Sequence, residues 1–143
     1  MRTLALLMLA SFTMSAYSAS KTILVLGDSL SAEYGLARGE GWVNLLQKKL
    51  EAEKITASIV NASISGETTS GGAARLQTLL DKHQPAVVVI ELGANDALRG
   101  LSLIATQQNL RNMVAAAKKA KARVLLIGCL LYTSDAADDS LRV

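Results

Sequence analysis

Three short segments carry groups suited to attack on a carbonyl carbon: Gly27-Asp28-Ser29-Leu30-Ser31, Ser65-Gly66-Glu67-Thr68 and Gly93-Ala94-Asn95-Asp96. The Ser29 hydroxyl is a potential nucleophile. Gly27 lets the backbone turn sharply, which leaves that hydroxyl at an exposed lip, and the Ser29 N–H, expected near a helix N-terminus, faces developing negative charge. Gly66 has no Cβ, so an acyl oxygen can approach its N–H, and Asn95 offers a carboxamide donor. Together Ser29, Gly66 and Asn95 would make a three-donor oxyanion hole, a device in which losing one donor costs about 10² to 10³ in turnover. Each residue also has a plainer reading. Serine is a good helix cap, Gly66 fits a turn for its own sake, and Asn95 suits an Asx turn.

The elements around these segments decide whether they can meet. Thr22-Ile23-Leu24-Val25-Leu26 is a short apolar run, as in a strand buried on both faces. Trp42, Leu45, Leu46 and Leu50 recur at helical spacing, with Lys49 and Glu53 at the border. Residues 55–60 read as a second strand, and Ala73, Leu76, Leu79 and Leu80 mark a helix starting after Gly71-Gly72. Pro85 precedes Ala86-Val87-Val88-Val89-Ile90-Glu91, the most β-branched run of the chain. Leu103, Leu110, Met113, Val114 and Ala117 give a third helix, with Lys118, Lys119 and Lys121 near its C-terminal end, where cations suit the helix dipole. Residues 123–128 form a fourth strand. Such alternation implies a parallel sheet with helices on both faces, hence an α/β fold. In that architecture the loops at the carboxyl ends of the strands converge on one edge, and all three chemical segments lie there.

In order and spacing these segments resemble the first three blocks of the SGNH/GDSL hydrolases, over about residues 22–128. The likeness is greatest to the bacterial periplasmic thioesterase, lysophospholipase and arylesterase branch, through Ser31-Ala32, Tyr34-Gly35, Trp42 and Leu98-Arg99-Gly100. The resemblance implies a flavodoxin-like three-layer α/β/α fold, with residues 21–128 a partial domain lacking the last strand and helix. It implies an esterase or thioesterase acting through a Ser29 acyl-enzyme on small acyl esters or thioesters, with no cofactor and no metal. By the same likeness Asp28 and Asp96 shape their loops and are not the acid of a triad. Arg99 either steers an anionic substrate or pairs with a carboxylate, and the second is the expectation. A carbohydrate O-acetyl esterase is the alternative enzyme. A non-catalytic flavodoxin-like module holding an anion on the loop 66–72 is the rival outside enzymology, weakened because neither phosphate-binding glycine motif is present.

A serine nucleophile needs a base to take its proton. The resemblance places that base in an Asp-x-x-His beyond a fifth strand, and the sequence contains no such motif. Its one histidine, His83, precedes the third strand and so lies about 20 Å from Ser29, the length of a six-residue strand. We expect His83 to be a solvent-exposed residue at a helix end, and the chain as given to have negligible turnover. Without a fifth strand, residues 124–127 become a bare sheet edge, and poor solubility follows.

The remaining features bound the biology. Arg2, the apolar run 4–10 and the small residues through Ala19 have the order of a secretory signal peptide, with cleavage expected after Ser18, giving a leader of residues 1–18 and a periplasmic or secreted product. The apolar run falls short of the roughly 20 residues that span a bilayer, so no stable membrane insertion is expected after cleavage. Residues 129–143 break the periodicity and resemble a translated sequencing adapter; we read them as a non-native tail. With 15 basic and 12 acidic residues scattered through helices, nucleic-acid binding has little support. A single cysteine, Cys129, excludes an intramolecular disulfide.

Overall fold

The computed structural model describes residues 21–128. The leader, the tail and Cys129 lie outside the described residues. Eight elements follow in order: β1 (Lys21–Gly27), α1 (Trp42–Ala52), β2 (Ala57–Asn61), α2 (Thr69–His83), β3 (Val87–Glu91), α3 (Ala94–Leu98), α4 (Leu103–Lys119) and β4 (Arg123–Leu126). The strands pair in parallel in the order β2-β1-β3-β4. Helices cover both faces, as the flavodoxin-like three-layer expectation required.

The strand pattern explains the layers. In β1, Leu24 and Leu26 point to one face, where they join Leu76 and Leu80 of α2 and Met113 and Ala117 of α4 in the main core. Val25 points the other way and packs with Val89 and with Val43 of α1. Leu24, Val25 and Leu26 are completely buried, and each such side chain contributes about 1.5–3 kcal/mol relative to exposure. A strand buried on both sides has no polar alternation, which is why β1 and β3 read as continuous apolar runs.

Several details depart from the sequence reading. Helix α2 begins at Thr69, before the glycine pair, because the Thr68 hydroxyl caps it by accepting from the Gly71 N–H. Gly72 is thereby a helical residue, and its missing side chain is a packing requirement: a Cβ there would lie 2.4 Å from Leu92 Cδ1. In α1 the face turned to the sheet is centred on Val43, with Trp42, Leu46 and Leu50 half-buried, while Leu45 is 53% exposed. Two residues on from Val43 is about 200° around a helix, so Leu45 faces outward. Leu103, expected to pack, is likewise exposed at the first turn of α4. The short helix α3 has no counterpart in the sequence reading, since five residues are too few to show a period.

Candidate active site

The carboxyl edge gathers the three segments, and hydrogen bonds show how. The loop after β2 is tied to the end of β1 by Ala62 N–H to the Val25 carbonyl (2.8 Å) and Ile64 N–H to the Gly27 carbonyl (3.0 Å). The loop after β3 is tied to both others by Asn95. Its Nδ2 donates to Asp28 Oδ2 at 3.0 Å and to the Glu67 carbonyl at 3.0 Å. One carboxamide therefore links the neighbour of Ser29 to the neighbour of Gly66.

Ser29 is half-buried on the turn leaving β1. That turn is wound by Ala32 N–H to the Asp28 carbonyl (2.9 Å) and Tyr34 N–H to the Ser29 carbonyl (3.2 Å). No α-helix starts here. The next one is α1, with Gly41 at its N-cap, so Ser29 neither caps a helix nor sits at a helix N-terminus, and the dipole expected there is absent. What the turn offers is a free donor: among the described residues the Ser29 N–H meets no acceptor. The Gly66 N–H is in the same condition.

Gly66 adopts φ +78°, a conformation costly to residues with a Cβ. Its carbonyl accepts from Arg99 Nη2 at 2.8 Å, which corrects the expected carboxylate partner for Arg99. The carbonyl is nearer because α3 ends at Leu98 and delivers Arg99 across the mouth of the Gly66 loop. Asn95 is the second residue of α3, and its amide reaches across to the neighbouring loops, so it is not an Asx-turn residue. Both of its amide hydrogens are engaged. It can serve an oxyanion only by redirecting one of them.

The two aspartates sit where the loops need acceptors. Asp28 is buried and takes the Leu30 N–H on Oδ1 (3.1 Å) and Asn95 on Oδ2. Asp96 is buried too and takes the Thr69 N–H (2.8 Å), the Thr69 hydroxyl (2.6 Å) and the Thr106 hydroxyl (3.1 Å), stapling α2 and α4 to the third segment. With these oxygens committed, neither is placed to orient a base. His83 is the last residue of α2, before β3 and hence at the opposite edge from Ser29. It is half-buried, not solvent-exposed as expected, because the chain folds back at Gln84 in a left-handed conformation and enters the sheet through the buried Pro85.

Sequence reasoning missed a buried polar group beneath Ser29. Glu91, at the end of β3, accepts the Ser31 hydroxyl on Oε2 at 2.8 Å and the Asp28 N–H at 3.4 Å, and Ser31 Oγ in turn accepts from Trp42 Nε1 at 3.1 Å. Burial holds the Glu91 carboxyl above the usual carboxylate range; the Ser31 hydrogen bond opposes this and the Asp28 charge adds to it. The available signal was a lone glutamate closing an otherwise apolar strand. Also missed was Glu33, whose Oε1 accepts from Gly39 N–H (3.0 Å), Gly41 N–H (2.8 Å) and Asn44 Nδ2 (2.6 Å). Glu67, on the Gly66 loop, is held by Arg75 Nε at 2.6 Å.

A parallel three-layer α/β fold with a serine on the first strand's exit turn, tied at one sheet edge to the loops after β2 and β3, defines a class of flavodoxin-like scaffolds. The profile of the GDSL-like Lipase/Acylhydrolase family matches residues 25–142, and the chain belongs to that family. It is 50% identical over 123 residues to Esterase TesA of Pseudomonas aeruginosa, covering 86% of this chain and 61% of that one. It is 46% identical over 110 residues to Thioesterase 1/protease 1/lysophospholipase L1 of Escherichia coli K12, covering 77% and 51%. The crystal structure of TesA superposes with a TM-score of 0.79 over 82% of this chain and 66% of that one at 50% identity. The Pseudoalteromonas esterase EstA, in a structure inhibited by monoethylphosphonate, superposes with a TM-score of 0.71 at 51% identity, covering 74% and 58%. The chain thus spans about half to two thirds of the length of these relatives.

Proposed function

We propose that this chain carries the nucleophile and oxyanion donors of a serine hydrolase that cleaves carboxylic esters or thioesters. Ser29 Oγ attacks the acyl carbon, the leaving alcohol or thiol departs, and water releases the acid from the Ser29 acyl-enzyme. The observation that carries this reading is the pair of backbone donors, Ser29 N–H and Gly66 N–H, which meet no acceptor among the described residues and are each next in sequence to a group that the Asn95 carboxamide bonds. Donors that no protein acceptor takes are open to a ligand, and an oxyanion is such a ligand. Asn95 would become the third donor by turning one hydrogen from the Glu67 carbonyl to the oxyanion.

The surroundings favour apolar acyl chains longer than acetyl over acetylated sugars. Leu30, Tyr34, Leu36, Ile64, Leu98 and Leu101 are all exposed on the segments that follow β1, β2 and β3, apolar surface suited to an acyl chain. The names of the relatives, esterase and thioesterase/lysophospholipase, agree with that chemistry. The leader-like sequence at residues 1–18 supports a periplasmic site of action, and among the described residues no helix is long and apolar enough to cross a membrane.

A fluorophosphonate ester tests the assignment, since the related EstA is inhibited by a phosphonate. Labelling is expected at Ser29 once free imidazole supplies the missing base, and is expected to vanish in Ser29→Ala; labelling elsewhere, or none with the base supplied, would remove the reading. Turnover of a p-nitrophenyl ester by this chain should be negligible, because His83 is at the far edge and no other imidazole exists in the sequence. Rates comparable to ordinary esterases that depend on Ser29 would show that a different base operates.

A further inference from the structure

We infer that Glu91 is a positioning residue for the Ser29 turn, holding it from below through the Asp28 N–H and the Ser31 hydroxyl, with Trp42 closing the chain from α1. Gly27 and Glu91 are paired opposite one another in the β1–β3 register. A Cβ on Gly27 would lie 2.6 Å from Ser31 Oγ and 2.9 Å from Glu91 Oε2. The space above this glycine is therefore filled by the Ser31–Glu91 contact. The residues on either side of Ser29 that make these bonds, Asp28 and Ser31, are each only 1% exposed, so the grip acts on a turn already enclosed by protein. Asn61 adds a further tie by donating from Nδ2 to the Ser31 carbonyl at 2.7 Å. A reacting atom displaced by 1 Å costs roughly 10²-fold in rate, and the turn that sets Ser29 hangs on Glu91 Oε2.

The chain of donors has a direction. Trp42 N–H donates to Ser31 Oγ, and the Ser31 O–H donates to Glu91. A protonated Glu91 is itself a donor, so its titration can reverse the Ser31 hydroxyl and disturb the indole. The ionisable group facing Glu91 is Asp28 on the loop after β1; β1 presents the Gly27 backbone and α1 presents the Trp42 indole, neither of which titrates. Burial and the Asp28 charge both favour protonation, which brings this titration above the ordinary carboxylate range.

Trp42 is the sole tryptophan of the sequence, so tryptophan emission comes from this one residue, whose indole N–H is part of the network. The test compares the full chain with Glu91→Gln, Glu91→Ala, Ser31→Ala and Ser29→Ala by two readouts. In the first, Trp42 emission is followed against pH. The unaltered chain should show a step above the usual carboxylate range, Glu91→Gln should be flat, and Ser31→Ala should shift the emission at every pH and suppress the step. In the second, which alone rests on Ser29 being the nucleophile, the rate of Ser29 phosphonylation is measured with free imidazole supplying the base. Glu91→Ala should slow it about tenfold or more, while Glu91→Gln, which keeps an acceptor oxygen for both donors, should stay within about threefold. A Trp42 step that persists in Glu91→Gln, or unaltered labelling in a folded Glu91→Ala, overturns the inference. Should Glu91→Ala not fold, Glu91→Gln and Ser31→Ala decide by emission. Should the unaltered chain not label at all with imidazole present, the hydrolase reading fails, and the Trp42 titration still judges Glu91.

Discussion

Residue types in this site are chosen for how many hydrogen bonds they can accept. Asp28 takes two donors and Asp96 three, and Glu33 takes three on one oxygen. Glu33 does so from a left-handed backbone, φ 60°, which costs energy that the three bonds offset. Its pKa is lowered, first by the Gly41 N–H; burial, the next largest influence, opposes this, and Asn44, Gly39 and the Arg38 charge add to the lowering. The sign follows: a carboxylate whose folded pKa is depressed adds stability above its unfolded pKa, and that contribution disappears as pH falls through the folded value. Urea midpoints measured from neutral pH to below the carboxylate range should therefore fall more steeply for the unaltered chain than for Glu33→Gln, with the two converging in acid. Parallel curves would mean that the Glu33 charge does not hold the loop. Glu91 acts in the opposite sense, since its raised pKa favours the folded state below its unfolded value and loses that contribution as pH rises through the folded one.

At the scale of elements, α2 is positioned by an absent side chain. Gly72 lets the helix approach β1 and the end of β3 so closely that a Cβ would meet Leu92 Cδ1 at 2.4 Å, Leu26 Cδ2 at 3.5 Å and Met113 Sδ at 3.5 Å. Gly72→Val should destabilise the fold by about 2–3 kcal/mol through overpacking of that contact, read from denaturant melts; a neutral result would show that Leu92 swings aside freely. The elements carrying long apolar runs, β1 and β3, were legible in the sequence because burial on both faces leaves no polar alternation to misread. The three site segments were legible for a related reason: each directly follows a strand, so a parallel topology alone brings them to one edge. Less legible were the boundaries of α2, where two glycines suggested a loop that tertiary packing converts to helix, and the outward turn of Leu45, which depends on the azimuth of α1. Arg99 was misassigned because its partner is a backbone carbonyl, which no pattern of side chains announces. The Glu91–Ser31–Trp42 chain joins residues up to 60 apart, and its spatial meeting is fixed only by the sheet register.

For the molecule as a whole, the sheet is protected unevenly. β1 and β3 have strands on both sides, whereas β4 pairs only with β3 among the described residues. Leu125 and Leu126 are 53% and 52% exposed, and beside them runs a groove of about 510 Å³ lined by Leu110, Val114 and Leu126 with Gln107, Arg111 and Lys118. An unpaired strand with apolar side chains is a template for pairing with further chains, and the adjoining apolar groove adds a surface that water covers poorly. The chain should accordingly associate as concentration rises, seen as growth of the scattering mass and a shift to earlier elution. Leu125→Lys should reduce that association without lowering the denaturant midpoint appreciably, because the side chain is half in water already and an edge charge opposes pairing without touching the core. A monodisperse, cooperatively melting monomer at all concentrations would show that the β4 edge is covered, and Leu125→Lys would then change nothing in the elution profile. Should both proteins associate equally, the contact lies elsewhere, and the exposed leucines and isoleucines around Ser29 become the surface to alter next.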